Sequence, residues 1–333
     1  MKSRVCIPAH LCAAMLALPA LLPAAHAEKE SAAAAAASAP LAAASAASAA
    51  SAPASAPAPS VATPPLAPRF GFDGVLLGGF IEGEWVAAAA LQESGRYRPW
   101  QIQGGEECSI HHFTGALGEP CTVLGGRGEG AMPVQTPTRT VGAGDALLTL
   151  VGADFPPQPR PLQLLSTGNA TYQKFVARHL VENGLRGARP HIEQLIRVDL
   201  DGDGADEVLI AAQNVVDTQS GAHAELFSFA PDAPLMRQRD ALDAGAVPAT
   251  ARAGSYSVVL LRWLDGDSER TVPLASSIGA PQPRVHRIAA IADLNGDGAM
   301  EIICAEASHA TLHYSVHEIE GPDVRRVLNA AAH

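Results

Sequence analysis

The fold of this chain is decided by one nine-residue stretch that occurs twice, as Asp199-Leu-Asp-Gly-Asp-Gly-Ala-Asp-Glu207 and as Asp293-Leu-Asn-Gly-Asp-Gly-Ala-Met-Glu301. Both copies place oxygen-bearing side chains at positions 1, 3, 5 and 9 and a glycine at position 6. Carboxylates this close in sequence repel one another unless a cation lies among them. Glycine reaches positive φ without a Cβ penalty, so it lets the backbone fold back around an ion. Because calcium takes about 6–8 oxygen ligands in flexible geometry, the stretch predicts a calcium loop.

Each loop supplies a set of five expected ligands, four from side chains and one from the main-chain carbonyl at position 7. A solvated acidic turn is the alternative, since Asp-Gly pairs are common in turns. We expect two bound calcium ions with a structural role, because an ion that binds only the folded state stabilises it. The expected ligands are Asp199, Asp201, Asp203, Ala205 and Glu207 in the first loop, and Asp293, Asn295, Asp297, Ala299 and Glu301 in the second.

The residues around the loops indicate β-strands rather than helices. An EF-hand loop ends with an acidic residue at position 12, where this chain has Ile210 and Cys304. Short apolar runs follow each loop, Val208-Leu-Ile-Ala-Ala212 and Ile302-Ile-Cys-Ala305, and similar runs precede them. Such runs are typical of buried strands. The order of elements is therefore strand, calcium turn, strand.

This order resembles the FG-GAP or VCBS repeat, the calcium-loop unit of integrin-α-like β-propeller blades. The resemblance rests on the Asp-x-Asn/Asp-Gly-Asp-Gly-x-x-Asp/Glu turn and the hydrophobic strand that follows it. It implies that the side chains at positions 1, 3, 5 and 9 of each loop take the metal-ligand positions of the family. A propeller needs at least four blades, so two loops do not predict a complete one.

The chain beyond residue 68 is expected to be α+β and rich in β-structure. Residues 191–333 are predicted to form two blade-like antiparallel meanders, with strands near 194–199, 207–213, 255–263 and 269–274, then 286–292, 301–307, 311–318 and 324–328. Residues 214–254 would form a flexible insertion in the first meander. Residues 69–190 are predicted to form a mixed α/β region with a helix near 170–183, where apolar residues recur on one face before Gly184.

The first residues have the composition of a secretory signal. Residues 1–27 follow the order of basic start, apolar run and small-x-small cleavage site. Residues 28–68 consist mostly of Ala, Ser and Pro, a composition that cannot bury a core and predicts a disordered linker. The expected location is the periplasm or the exterior, with no transmembrane segment left after cleavage.

Charge and cysteine content narrow the possible functions. The net charge of −11 argues against nucleic acid as a partner. Cys6 and Cys12 would be removed with the signal peptide. In an oxidising compartment Cys108 and Cys121 are expected to form a disulfide, which leaves Cys304 as a buried free thiol.

No catalytic motif is evident in the sequence. Gly-x-Ser-x-Gly, His-Glu-x-x-His and the phosphate-binding Gly-x-x-x-x-Gly-Lys are all absent. We therefore expect a non-enzymatic calcium-binding module with a protein or glycan partner. Two alternatives stay open. One is an envelope-associated hydrolase with a site near Cys108–Cys121, where His111 or His112 would meet a carboxylate. The other is a purely structural envelope protein.

Overall fold

A computed structural model describes residues 67–93, 95–113, 118–125, 130–142, 147–221, 247–266, 268–321 and 323–332. The predicted signal peptide and nearly all of the predicted linker lie outside these residues. Ala67 and Pro68 are already buried, and the carbonyl of Pro68 accepts a hydrogen bond of 2.9 Å from the amide of Phe80. Within the described residues, no helix combines the length and the apolar composition that a membrane crossing requires.

The first sheet of the described chain has eight antiparallel strands, ordered β3-β2-β1-β8-β4-β5-β6-β7. A short helix α1 (Ala88–Glu93) and a 3-10 helix (Gly95–Trp100) follow its third strand. Cys108 and Cys121 face each other across β4 and β5 and form a disulfide. The predicted disulfide is therefore confirmed. The strands are β1 (Arg69–Phe72), β2 (Val75–Ile81), β3 (Glu84–Ala87), β4 (Glu107–His111), β5 (Glu119–Val123), β6 (Val134–Gln135), β7 (Thr140–Val141) and β8 (Leu148–Val151).

The second sheet is an antiparallel meander with one additional short edge strand, in the order β13-β12-β11-β10-β9. Helix α2 (Ala170–Glu182) covers one face of it, burying Val176 and Leu180. The helix begins where Asn169 accepts a hydrogen bond from the amide of Thr171, an N-cap arrangement. The strands are β9 (Gln163–Leu164), β10 (Ile192–Val198), β11 (Glu207–Asn214), β12 (Tyr256–Asp265) and β13 (Ser268–Ile278).

The third sheet is a four-stranded antiparallel meander, and it lies between the other two. Alternate residues of its strands face opposite ways, as the pleat requires. Ile302 and Cys304 pack toward the second sheet, whereas Ile303 and Ala305 pack toward the first. The described elements thus form a stack of first sheet, third sheet, second sheet and α2. The strands are β14 (Val285–Ala292), β15 (Glu301–Ala307), β16 (Leu312–Glu320) and β17 (Asp323–Ala332).

The expected fold class is confirmed: the described chain is β-rich and antiparallel, and it is not a closed propeller. Both predicted meanders are present. Of the predicted insertion, residues 222–246 lie outside the described part of the chain. Its two described ends pack Val215, Val247 and Ala251 against Val285 and Ala307 of the third sheet.

Candidate metal centre

The two acidic loops are the turns between the first two strands of each meander. The first loop (residues 199–207) joins β10 to β11, and the second loop (residues 293–301) joins β14 to β15. β14 packs against β11 and β12, which brings the two turns together. Gln194 fixes this packing, because its side-chain amide donates to the carbonyl of Ile288 at 2.9 Å and accepts from the Ile288 amide at 2.8 Å.

In the first loop three carboxylates converge. Asp199, Asp201 and Glu207 each bring one oxygen within 4.8 Å of the other two, a spacing that can hold a metal ion. Across the described residues, this is the single group of three or more acidic, histidine or cysteine side chains with that spacing. Asp203 stands outside the group.

Hydrogen bonds to main-chain amides hold the first loop in shape. The Asp199 carboxylate accepts from the amides of Gly202 at 2.6 Å and Gly204 at 3.2 Å. Both glycines have positive φ, 82° and 88°. Three further hydrogen bonds complete the turn. The Asp203 amide donates to the Asp201 carboxylate at 3.1 Å, and the Ala205 amide donates to the Asp203 carboxylate at 2.7 Å. The Leu200 amide donates to the Glu207 carboxylate at 2.7 Å.

The second loop repeats this set bond for bond. Asp293 accepts from Gly296 at 2.6 Å and from Gly298 at 2.9 Å, and the φ values of these glycines are again 82° and 88°. Three further amides bond in the same pattern. The Asp297 amide donates to the Asn295 side-chain oxygen at 2.9 Å, and the Ala299 amide donates to the Asp297 carboxylate at 2.8 Å. The Leu294 amide donates to the Glu301 carboxylate at 2.7 Å. The sequence repeat is thus a repeat of backbone geometry.

The two loops differ in burial and in charge. Asp293 and Glu301 are 3% and 1% exposed, so the second loop lies deeper in the stack. Asn295 stands where the first loop has Asp201, and its amide nitrogen donates to Asp297 Oδ2 at 3.0 Å. This hydrogen bond replaces a repulsion between two carboxylates with an attraction.

Burial alters the acidity of the glutamates that close the loops. Burial, together with the neighbouring Asp201, Asp203 and Asp199 carboxylates, raises the pKa of Glu207 to about 7, and the hydrogen bond from the Leu200 amide opposes this rise. Burial likewise raises the pKa of Glu301 to about 9, and it raises the pKa of Asp293. A cation among these groups would favour their ionised forms.

A segment that the sequence reasoning missed connects the two loops. This bridging segment (residues 153–162) places Phe155 against Gly296 of the second loop, and the Pro157 carbonyl accepts from the Asp293 amide at 2.7 Å. Arg160 reaches both loops: its guanidinium donates to the carbonyls of Leu200 and Gly298 at 2.6 and 2.7 Å. The available signal was the run Asp154-Phe-Pro-Pro-Gln-Pro-Arg-Pro161, since an arginine among prolines is held in extended backbone.

The histidines considered for a hydrolase lie on β4 and just after it. Ser109 and His111 form a pair, with Oγ and Nε2 2.9 Å apart. The other ring nitrogen of His111 is buried with no hydrogen-bond partner among the described residues. Burial lowers the pKa of His111 to about 4. His112 Nε2 lies 4.0 Å from Glu119 Oε1, beyond hydrogen-bonding distance. Neither His111 nor His112 therefore has, among the described residues, a carboxylate within hydrogen-bonding distance that would orient it for catalysis.

Comparison of the chain with protein-family models, with curated proteins and with solved structures finds no match in any of the three.

Proposed function

We propose that this chain is a secreted or periplasmic calcium-binding β-repeat protein that carries two structural calcium ions and acts as a non-enzymatic binding module. The observation that carries the proposal is the pair of loops with the same five amide-to-side-chain hydrogen bonds. Two turns that match in sequence, glycine φ and hydrogen bonding are expected to share a ligand. The FG-GAP or VCBS resemblance is part of the same proposal.

The donor set favours calcium over other ions. All proposed ligands are oxygens, from carboxylates, one side-chain amide and main-chain carbonyls, which suits a hard cation. Thiolate and imidazole, the ligands typical of zinc, are missing from both nine-residue loops. Magnesium demands near-ideal octahedral geometry and retains water, so a nine-residue turn rich in carboxylates suits calcium better.

The place of the loops in the fold favours a structural role for the ions. Asp293 and Glu301 are buried acids, and a buried carboxylate is costly without a compensating charge. A cation in each loop would offset this cost where the second and third sheets meet. Calcium would therefore stabilise the packing of the two meanders by mass action.

The partner is proposed to be a protein or a glycan, bound by the exposed surface of the sheets. The net charge of −11 disfavours nucleic acid. The Cys108–Cys121 disulfide supports an oxidising compartment and thus the predicted signal peptide. Affinity capture distinguishes the binding module from a purely structural envelope protein. If the chain recovers one partner, and calcium chelation releases that partner, the binding module is favoured.

Calorimetry on protein that a chelator has stripped of metal, followed by titration with calcium, tests the calcium proposal. We expect two ions to bind and the melting temperature to rise. Asp203→Ala should lower the melting temperature in calcium much more than in chelator, because the residue is a proposed ligand. Asp206→Ala is the matched control: Asp206 belongs to the same loop, but it pairs with Arg197 at 3.1 Å. No heat of binding, or equal shifts with and without calcium for Asp203→Ala, would refute the proposal.

A further inference from the structure

The Arg160 side chain contacts both acidic loops. Its Nε donates to the carbonyl of Asp199, and its Nη2 donates to the carbonyls of Leu200 and Gly298 at 2.6 and 2.7 Å. Nε also lies 3.8 Å from the Asp199 carboxylate. The Arg160 side chain is 21% exposed, so these bonds are largely shielded from water.

These contacts involve residues that also shape the proposed ion sites. Asp199 is the first ligand of the first loop. Gly298 donates its own amide to Asp293, the first ligand of the second loop, at 2.9 Å. A shift of either loop therefore displaces an acceptor of the same guanidinium. A planar guanidinium holds its donors in a fixed fork, so it transmits such a shift better than a flexible ammonium does.

We propose that Arg160 couples the two loops, so that calcium in one loop raises the affinity of the other. This inference rests on the proposed calcium function. Binding orders one loop, which fixes the guanidinium and with it the carbonyl that it holds in the other loop. The second ion then meets a loop that is already ordered, which is positive cooperativity.

Electrostatic repulsion between the two ions acts in the opposite direction. Asp293 and Glu301 are buried, but Asp201, Asp203 and Asp297 open each loop to solvent, where water and salt weaken interactions between charges. The hydrogen bonds of Arg160 are direct and shielded, so we expect the ordering effect to exceed the repulsion.

Calcium binding is measured by calorimetry on the purified full chain. Asp297→Ala disables the second loop and reports the affinity of the first loop alone, and Asp203→Ala reports the second loop alone. The coupling factor is the product of the two association constants in the unmodified chain divided by the product of these single-loop constants. We expect it to be about fivefold or more.

Arg160→Gln should lower the coupling factor, leaving the part that the direct main-chain hydrogen bond from Met300 to Leu200 carries. Arg197→Gln is the matched control, because it removes a positive charge paired with Asp206 of the first loop. It should leave the factor unchanged. Circular dichroism checks folding, and if Arg160→Gln does not fold, Arg160→Lys replaces it. That variant keeps the charge but lacks the fork, so it too should lower the factor.

The outcomes separate this inference from the function on which it rests. If the two ions bind independently, or if the coupling factor is unchanged in the Arg160 variants, the coupling is overturned and the calcium function still stands. A chain that binds no calcium in either loop overturns both. A factor that falls equally in Arg197→Gln shows a general charge effect and also overturns the role of Arg160.

Discussion

The main-chain amide of Met300 donates a hydrogen bond of 2.8 Å to the carbonyl of Leu200. Leu200 is the second residue of the first loop, and Met300 directly precedes the closing glutamate of the second. The same carbonyl also accepts from Arg160. Two turns that lie far apart in the sequence are thus joined by main chain and by side chain, which makes them one structural unit.

The glycines of the second loop provide a matched pair of substitutions. Gly296 and Gly298 have φ values of 82° and 88°, so alanine is strained at both, by about 1 kcal/mol. A Cβ at Gly296 would also lie 2.8 Å from the ring of Phe155, whereas a Cβ at Gly298 meets nothing within 4 Å. We expect Gly296→Ala to cost about 2 kcal/mol or more of unfolding free energy and Gly298→Ala about 1 kcal/mol. Urea unfolding measures both, and equal losses would contradict the packing of Phe155.

The disulfide should contribute strongly to stability. Cys108 and Cys121 are 13 residues apart and close a short loop in the first sheet. Replacing both by alanine should lower the unfolding free energy by about 2–3 kcal/mol, since the unfolded chain is no longer constrained. Reductant should lower the stability of the natural chain and leave the double variant unchanged. Free thiols at both positions in a non-reducing peptide map would contradict the bond.

Glu193 should make stability depend on pH. Burial raises its pKa from 4.5 to about 7, although Gln213 donates to its carboxylate at 2.8 Å. Between these two values the folded state binds more protons than the unfolded state, so the contribution of Glu193 to stability falls as pH rises. Glu193→Gln should therefore raise the melting temperature at pH 8 by about 2–4 °C. It should give no gain at pH 4.

The measurement for Glu193 is a thermal scan in saturating calcium at both pH values, with each variant compared to the natural chain. Glu93→Gln is the control, because Glu93 is an exposed residue at the end of α1. The same gain at pH 4 and pH 8 would show that the substitution acts through packing rather than through titration.

A buried polar cluster should stabilise the contact between the first and third sheets. The Tyr314 hydroxyl donates to Asp73 at 3.2 Å, and Arg287 is 3% exposed beside them. Burial lowers the pKa of Arg287 to about 10, against the Asp73 and Tyr314 charges. Asp73→Asn should cost about 3 kcal/mol, because it removes a buried carboxylate whose charge favours the ionised Arg287 guanidinium. Asparagine suits the positive φ of residue 73.

Chemical unfolding of four variants tests this cluster: Asp73→Asn, Arg287→Met, their double variant and Tyr314→Phe. Tyr314→Phe should cost about 1 kcal/mol, the usual value of one hydrogen bond. Combining Asp73→Asn with Arg287→Met should recover part of the loss, since the buried charge is then gone. Additive losses in the double variant would mean that Asp73 and Arg287 do not interact.

The sequence predicted the two meanders closely because their signals are local. Apolar runs bounded by the acidic loops placed β10, β11, β14 and β15 within two residues of their observed bounds. Helix α2 was likewise indicated by its one-sided apolar pattern and by Gly184 after its end. Such features depend on neighbours in the chain, which a reader of the sequence can see.

The eight-stranded first sheet was not foreseen, because its strands are short and their partners are distant. β1 pairs with β8, and β6 and β7 have only two residues each. The contact between the loops and the role of Arg160 also escaped prediction. Both depend on how sheets stack, and no residue beside Arg160 indicates that its acceptors lie 39, 40 and 138 positions away.

The position of the third sheet means that the fold can be completed only after the last strands of the described chain are present. Residues 285–332 form the middle layer, yet they follow the two sheets that enclose them. Until these strands dock, each outer sheet presents an uncovered apolar face to water. A chain truncated before residue 285 would therefore expose two apolar surfaces at once. We expect such a fragment to aggregate rather than to retain part of the function.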